Sequence, residues 1–149
     1  MIEMPNRSGS VITRFVRVTN LVKQGFLHLA EVEIYEGSKN VARTGKVSQS
    51  STGFNGPAKL AIDGNIDGYY AKMSVTHTNQ EDNPWLEIDL GSPRKVDLIK
   101  IHNRTDGGTA NRIKEFQRVS LDEKREPNWV QRVKKSPNQD HVVSVPVSF

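Results

Sequence analysis

The 149-residue chain has no cysteine. Disulfides and thiol chemistry are excluded, so stability must come from a packed core, which a chain of this length can close. No apolar run approaches the roughly 18 residues that a membrane-spanning helix needs. The opening MIEMPNRSGS lacks the apolar centre of a secretory leader, which leaves a cytosolic protein or a domain of a secreted parent. Sustained helical periodicity is also missing; PAKLAID (57–63) offers one short turn at most. The four histidines, His28, His77, His102 and His141, show no zinc spacing. There is no phosphate-cradling glycine loop and no GxSxG elbow, so no enzyme activity is expected. Net charge is +4, but no basic helical stripe or aromatic-interleaved basic run accompanies it, so nucleic acid is not an expected partner. Membrane binding is not expected either; YYAKM (69–73) is its only hint.

What the chain does have is period two. RFVRVTN (14–20), LHLAEVEIYE (27–36), PWLEIDLG (84–91), VDLIKIHN (96–103), FQRVSLD (116–122), NWVQRV (128–133) and HVVSVPVSF (141–149) alternate apolar and polar residues. Such runs are half-buried strands. Leu86, Ile88 and Leu90 share one face against Glu87 and Asp89, and Ile99 and Ile101 turn inward. Turn clusters separate the runs: NQEDNP, LGSPR, TDGGTAN, DEKREPN and KKSPNQD. The pattern predicts an all-β sandwich or barrel over 13–149, preceded by a flexible extension over 1–12.

Residues 61–78, AIDGNIDGYYAKMSVTHT, carry chemistry. Asp63-Gly64-Asn65-Ile66-Asp67-Gly68 opens like an EF-hand loop. That loop needs a bidentate Glu at its twelfth position and a helix on each side. Here the twelfth position is Ser74 and the flanks are not helical, so an EF-hand is excluded. A Ca²⁺ ion held by Asp63, Asn65 and backbone carbonyls stays compatible with the spacing; a plain Asx turn is the competing reading.

The run LAIDGNIDGYYAKMSVTHT, then NPWLEIDLG, then IKIHNRTD, resembles the discoidin-like fold of coagulation-factor C-type, galactose-binding domains, which implies an all-β jelly-roll β-sandwich. Within that fold it is most similar to the F-type, fucose-binding lectins, from about Asn40 to Leu121. RFVRV and LHLAEVEIYE resemble the segment that closes such domains, yet here they come first, so the chain resembles a circular permutation with VVSVPVSF as a last strand beside RFVRV. The resemblance implies Ca²⁺ on the carbonyls of Leu60 and Ala30 and the side chains of Asp63, Asn65, Ser74 and Glu31. Two carboxylates with neutral oxygens suit a hard cation.

It also implies a sugar site of one His and two Arg. His77 and Arg104 fall on the first two. At the second Arg the chain has Asn111, with Arg112 one place on. Asp106 would brace Arg104. Where family members carry a cysteine pair as apolar platform this chain has Gly107-Gly108, so Tyr69 or Tyr70 is expected to stack the sugar instead. The expected function is a non-catalytic, calcium-stabilised carbohydrate-binding module, with a fucose-like, galactose-like or anionic glycan as partner. It would be a secreted, extracellular or periplasmic accessory domain, linked to a catalytic or scaffold domain in a bacterial parent. The alternative is a protein-interaction or structural module of the same fold without a sugar site.

Overall fold

The computed structural model describes residues 9–137 and 142–144. Its strands, in chain order, are β1 (Val11–Asn20), β2 (Leu29–Glu36), β3 (Lys39–Asn40), β4 (Lys46–Gln49), β5 (Trp85–Val96), β6 (Leu98–Asn103), β7 (Phe116–Leu121), β8 (Pro127–Val133) and β9 (Val142–Ser144). They form two antiparallel sheets, ordered β4-β5-β1-β7-β8 and β3-β2-β6-β9. Short 3-10 turns at Ala58–Ile62, Tyr70–Lys72 and Asp106–Arg112 lie in the connections.

Alternation explains the layering. Val16 and Val18 of β1 and Leu86, Ile88 and Leu90 of β5 share one buried cluster with Val32 and Ile34 of β2 and Ile99 and Ile101 of β6. Each such side chain contributes about 1.5–3 kcal/mol on burial. The intervening Phe15 of β1 turns to the other face, where it clusters with Val119 and Leu121 under the Arg125 guanidinium.

Three expectations change. β1 starts at Val11, inside the stretch expected to be an extension, because Val11 and Ile12 pair with Val96 and Lys95; residues 1–8 lie outside the described residues. LGSPR is not a turn between strands but part of β5: the pairing with β1 slips between Thr13 and Phe15, and a Gly91 φ of 85° lets the strand bulge and continue. The last strand does not lie beside RFVRV. β9 pairs with β6, because β5 and β7 already occupy both edges of β1. His141 and the rest of 145–149 fall outside the described residues.

Ala30 sits at a bulge in β2: Leu29 pairs with Asn103 and Glu31 with His102, leaving Ala30 out of register. Bulges re-aim side chains beside functional sites, and this one lies where β2 meets the 60–78 loop.

Candidate functional site

The THT segment is held like an extra strand along the approach to β2. Thr76 and Thr78 accept from the backbone N–H groups of Leu29 and Leu27 through their hydroxyls, at 3.0 and 2.9 Å. Their own N–H groups donate to the carbonyls of the same two residues. Period two then aims the intervening His77 to the other side. The loop 53–56 closes on it: His77 N–H donates to Gly56 O, and a side chain at Gly56 would meet the His77 nitrogen at 2.4 Å. Only glycine permits that approach.

His77 Nδ1 lies 2.7 Å from Thr78 O. A carbonyl can only accept, so Nδ1 carries the proton. Burial holds the ring below the ordinary histidine pKa, and the nearby Arg104 and Arg112 charges push the same way. The neutral ring therefore offers Nε2 as an acceptor. Beneath it lies His28, fully buried and pushed down to about 4 chiefly by burial, its Nδ1 3.2 Å from Asn103 Oδ1.

Arg104 follows β6. Its Nε and Nη2 donate to Asp106 at 3.0 and 2.9 Å. The guanidinium lies 4.6 Å from the centre of the Tyr70 ring. Asp106 also accepts from the Tyr70 N–H at 2.9 Å. Held by Arg104, its carboxyl falls to about 2. Both sides of this fork are fixed, and Nη1 makes no bond among the described residues. Arg112 is exposed, lies 5.0 Å from the Phe26 ring centre, and has no ion pair among the described residues. Asn111, which holds the position in family register, is exposed beside it.

The rings near His77 are Phe54 at 4.6 Å, Phe26 at 5.2 Å, His28 at 5.6 Å and Tyr70 at 6.2 Å. Of the two expected stacking tyrosines, the structure brings Tyr70 to this cluster; its hydroxyl donates to Phe54 O at 2.5 Å. Tyr69 is half exposed and makes no ring contact with His77 among the described residues. Phe26 and Phe54 are the residues that sequence reasoning missed. Phe54 carried a faint signal: it stands in the glycine-flanked turn STGFNGP, where its φ of 52° puts an exposed phenyl on strained backbone. Gly107 and Gly108, both left-handed, have open space at their Cβ positions.

The carboxylate loop is the second half of the site. Glu31 is 1% exposed. Its Oε2 accepts from Gly64 N–H at 2.7 Å, and its Oε1 has no partner. Burial is the main force pushing its pKa up to about 8; the nearby Asp63 carboxylate pushes further, against the Gly64 N–H and Arg43. Asp63 Oδ1 accepts from Asn65 N–H, and Asn65 Oδ1 from Asp67 N–H, at 2.9 and 3.0 Å. Ser74, also buried, donates to Asp67 O at 2.5 Å. Neither Glu31 nor Asp63 has a salt bridge among the described residues. A buried, half-orphaned carboxylate beside a second one fits a bound cation. Among the described residues no three His, Asp or Glu side chains cluster as a metal site, so the remaining ligands would be neutral oxygens. Leu60 lies in the Ala58–Ile62 turn that leads into the loop, and Ala30 on the β2 bulge.

The two halves are joined. A side chain at Gly68 would meet Asn103 O at 2.7 Å, and Thr105 N–H donates to Gly68 O at 2.9 Å. The acidic loop is thus clamped directly to the Arg104 segment.

The chain is 40% identical over 74 residues to fucolectin-6 of Anguilla japonica, covering 46% of this chain and 39% of that one. It is 38% identical over 71 residues to a pentraxin fusion protein of Xenopus laevis, covering 47% of this chain and 17% of that one. The chain spans less than half the length of these curated relatives. Among solved structures, the lectin domain of lectinolysin in complex with Lewis b antigen aligns with a TM-score of 0.68 and 38% identity, over 76% of this chain and 81% of that one. A fucose-binding module of Streptococcus pneumoniae aligns with a TM-score of 0.69 and 32% identity, over 76% and 80%. The family described as a NedA-like, galactose-binding domain matches residues 60–148, and the chain belongs to it.

Proposed function

We propose that the chain is a non-catalytic lectin domain that binds a fucosylated glycan at the His77, Arg104 and Arg112 cluster, with Ca²⁺ ordering the adjoining loop. The observation that carries this reading is the way both guanidinium groups bear on one neutral, backbone-anchored imidazole. His77 Nε2 supplies an acceptor, and Arg104 and Arg112 supply donors. Vicinal sugar hydroxyls need both. Hydrogen bonds to charged groups contribute roughly 1.5–3 kcal/mol each. Two such bonds with partial desolvation give mM to µM affinity, about −4 to −8 kcal/mol.

Fucose among sugars is favoured by the rings. The Gly107-Gly108 turn offers no apolar surface, but Phe54 and Tyr70 beside His77 supply one for the methyl group of a 6-deoxysugar. A neutral sugar also suits the charge balance: His77 is uncharged and Asp106 compensates Arg104, so an anionic glycan would meet only Arg112 as a free charge.

Ca²⁺ would be held by Glu31, Asp63 and Asn65, with Ser74 and the carbonyls of Leu60 and Ala30. It would neutralise the carboxylate pair and set the loop from which Gly68 and Tyr70 reach Thr105 and Asp106. We place the protein outside the cell as an accessory domain of a longer polypeptide, a reading supported by its likeness to part of a pentraxin fusion protein. The family match begins at residue 60 while β1 and β2 precede it, as a circularly permuted chain would give.

The test is a glycan array with calcium and with chelator, on the wild type and Arg104→Ala. Calcium-dependent binding to fucosylated glycans, lost in the variant, is expected. Binding that ignores both calcium and Arg104 overturns the assignment.

A further inference from the structure

Arg112 reaches the His77 cluster from an exposed turn, with Asn111 equally exposed beside it. Its side chain is not what holds it there. Arg112 has no ion pair among the described residues, and its guanidinium only rests on the Phe26 ring, 5.0 Å from the centre. The backbone at 112 is what is gripped.

Asn20 does the gripping. It ends β1, 92 positions away, and is fully buried. Its Nδ2 donates to Phe26 O at 2.7 Å and to Arg112 O at 3.2 Å. One amide thus ties together two residues that flank the imidazole: the Phe26 ring lies 5.2 Å from His77 and carries the Arg112 guanidinium on its other side. The amide cannot turn over, because Oδ1 would then face two carbonyls, acceptor against acceptor. Serving both carbonyls leaves Oδ1 with no partner of its own; two bonds made outweigh one acceptor unmet. The chain is also pinned on the far side of Arg112. Ile113 is buried in the core, and its N–H donates to Ala110 O at 3.3 Å. Ser136 Oγ lies 2.8 and 2.6 Å from Ala110 O and Ile113 O.

We propose that Asn20 is a positioning residue of the sugar site: its amide holds Phe26 and Arg112 together, and so makes position 112, not 111, the one that presents an arginine beside His77. The inference rests on the fucose reading above. Asn20 touches no ligand and acts through Arg112 and the Phe26 ring.

The experiment is a double-mutant cycle on the whole chain in calcium, with fucose binding read by calorimetry. Arg112→Ala is expected to weaken fucose about tenfold, the loss of one charge-assisted bond. Asn20→Ala is expected to weaken it about fivefold alone and less than about twofold in the Arg112→Ala background, because residues that act as a unit are not additive. A merely structural role would add in full in both backgrounds. NMR titration of the His77 ring gives a second readout. The Arg112 charge is one of the causes that hold this ring below the ordinary histidine value, after burial and beside Arg104. Asn20→Ala should therefore raise the His77 pKa, as Arg112→Ala does. The exchange of Asn111→Arg with Arg112→Asn moves the cation one place on the exposed surface and leaves Asn20 intact, so it decides the matter even where Asn20→Ala does not fold. The exchanged chain is expected to bind fucose no better than Arg112→Ala. Wild-type affinity in the exchanged chain or in Arg112→Ala, or an Asn20→Ala loss that persists in full without Arg112, overturns the proposal and leaves the primary site standing. If fucose does not bind the wild type, the primary reading falls and this inference with it.

Discussion

Two ionisable pairs border the 60–78 loop, one at its Gly64 N–H and one at its Tyr70 N–H, and solve opposite problems. Asp106 meets Arg104, and the pair is complete: two parallel hydrogen bonds, a backbone N–H on the remaining lone pair, and a carboxyl held at about 2. Glu31 meets Asp63, a second carboxyl, with one oxygen unpartnered and its pKa pushed up to about 8. The first pair needs nothing added and leaves donors over for a ligand. The second leaves a buried oxygen unmet, and a cation there would give it a partner. A site can thus be read from what its groups lack as well as from what they hold.

Four measurements probe this contrast. The largest effect is expected from calcium. A ligand at a thousand times its Kd stabilises by about 4 kcal/mol, so saturating calcium should raise Tm on the order of 10 °C. Glu31→Gln should abolish that rise without lowering the Tm measured in chelator, because a carboxyl pushed up to about 8 is already mostly neutral at pH 7 and the amide takes its place. A variant that still responds to calcium like the wild type would break the comparison.

Next comes the complete pair. Arg104→Ala should weaken fucose binding roughly 10- to 100-fold, by loss of charge-assisted bonds. Asp106→Asn keeps the guanidinium but loosens it, and should cost less, about tenfold at most. Equal losses in both would make Asp106 a ligand contact rather than a brace for Arg104.

Acid separates the groups further. His77 has a lowered pKa, so it stays neutral through the ordinary histidine range near 6.5. Affinity should hold as pH falls to the ordinary histidine value and decline only below it, as Nε2 gains a proton. Asp106 lies in the opposite class from a raised carboxyl. Its contribution to stability is full above the ordinary Asp value and is lost as pH falls through about 2. A midpoint of binding at or above pH 6.5 would contradict the neutral-imidazole arrangement. The smallest effect is expected from salt. With a neutral ligand, raising ionic strength tenfold should change affinity less than twofold; a steep fall would point to an anionic glycan instead.

Legibility in the sequence followed the range of the interactions. Strand alternation is local, so the inward faces of β1, β5 and β6 could be read directly from Val16, Leu86 and Ile99. Glycine at Gly64 and Gly68 marked the loop, and the TH and NR dipeptides located His77 and Arg104. Pairing is not local. The turn-like LGSPR became a bulged strand because β1 supplied a partner on its flank, and the last strand went to β6 because both edges of β1 were taken. Phe26 and Phe54 were invisible for a related reason. Each is an isolated aromatic in an irregular segment, and only the closure of two distant loops on His77 brings them together.

The sequence by itself determined an all-β chain with no thiol chemistry, because strand alternation and residue type are local. The expected Ca²⁺ loop and the His77 and Arg104 pair came from the resemblance to F-type lectins, not from spacing alone. The tertiary structure alone decided that Glu31 is buried against Asp63 with one oxygen unmet, and that Arg112 rather than Asn111 bears on His77. Burial, electrostatic proximity and unmet hydrogen bonds are properties of packed neighbours, and those neighbours lie far apart along the chain.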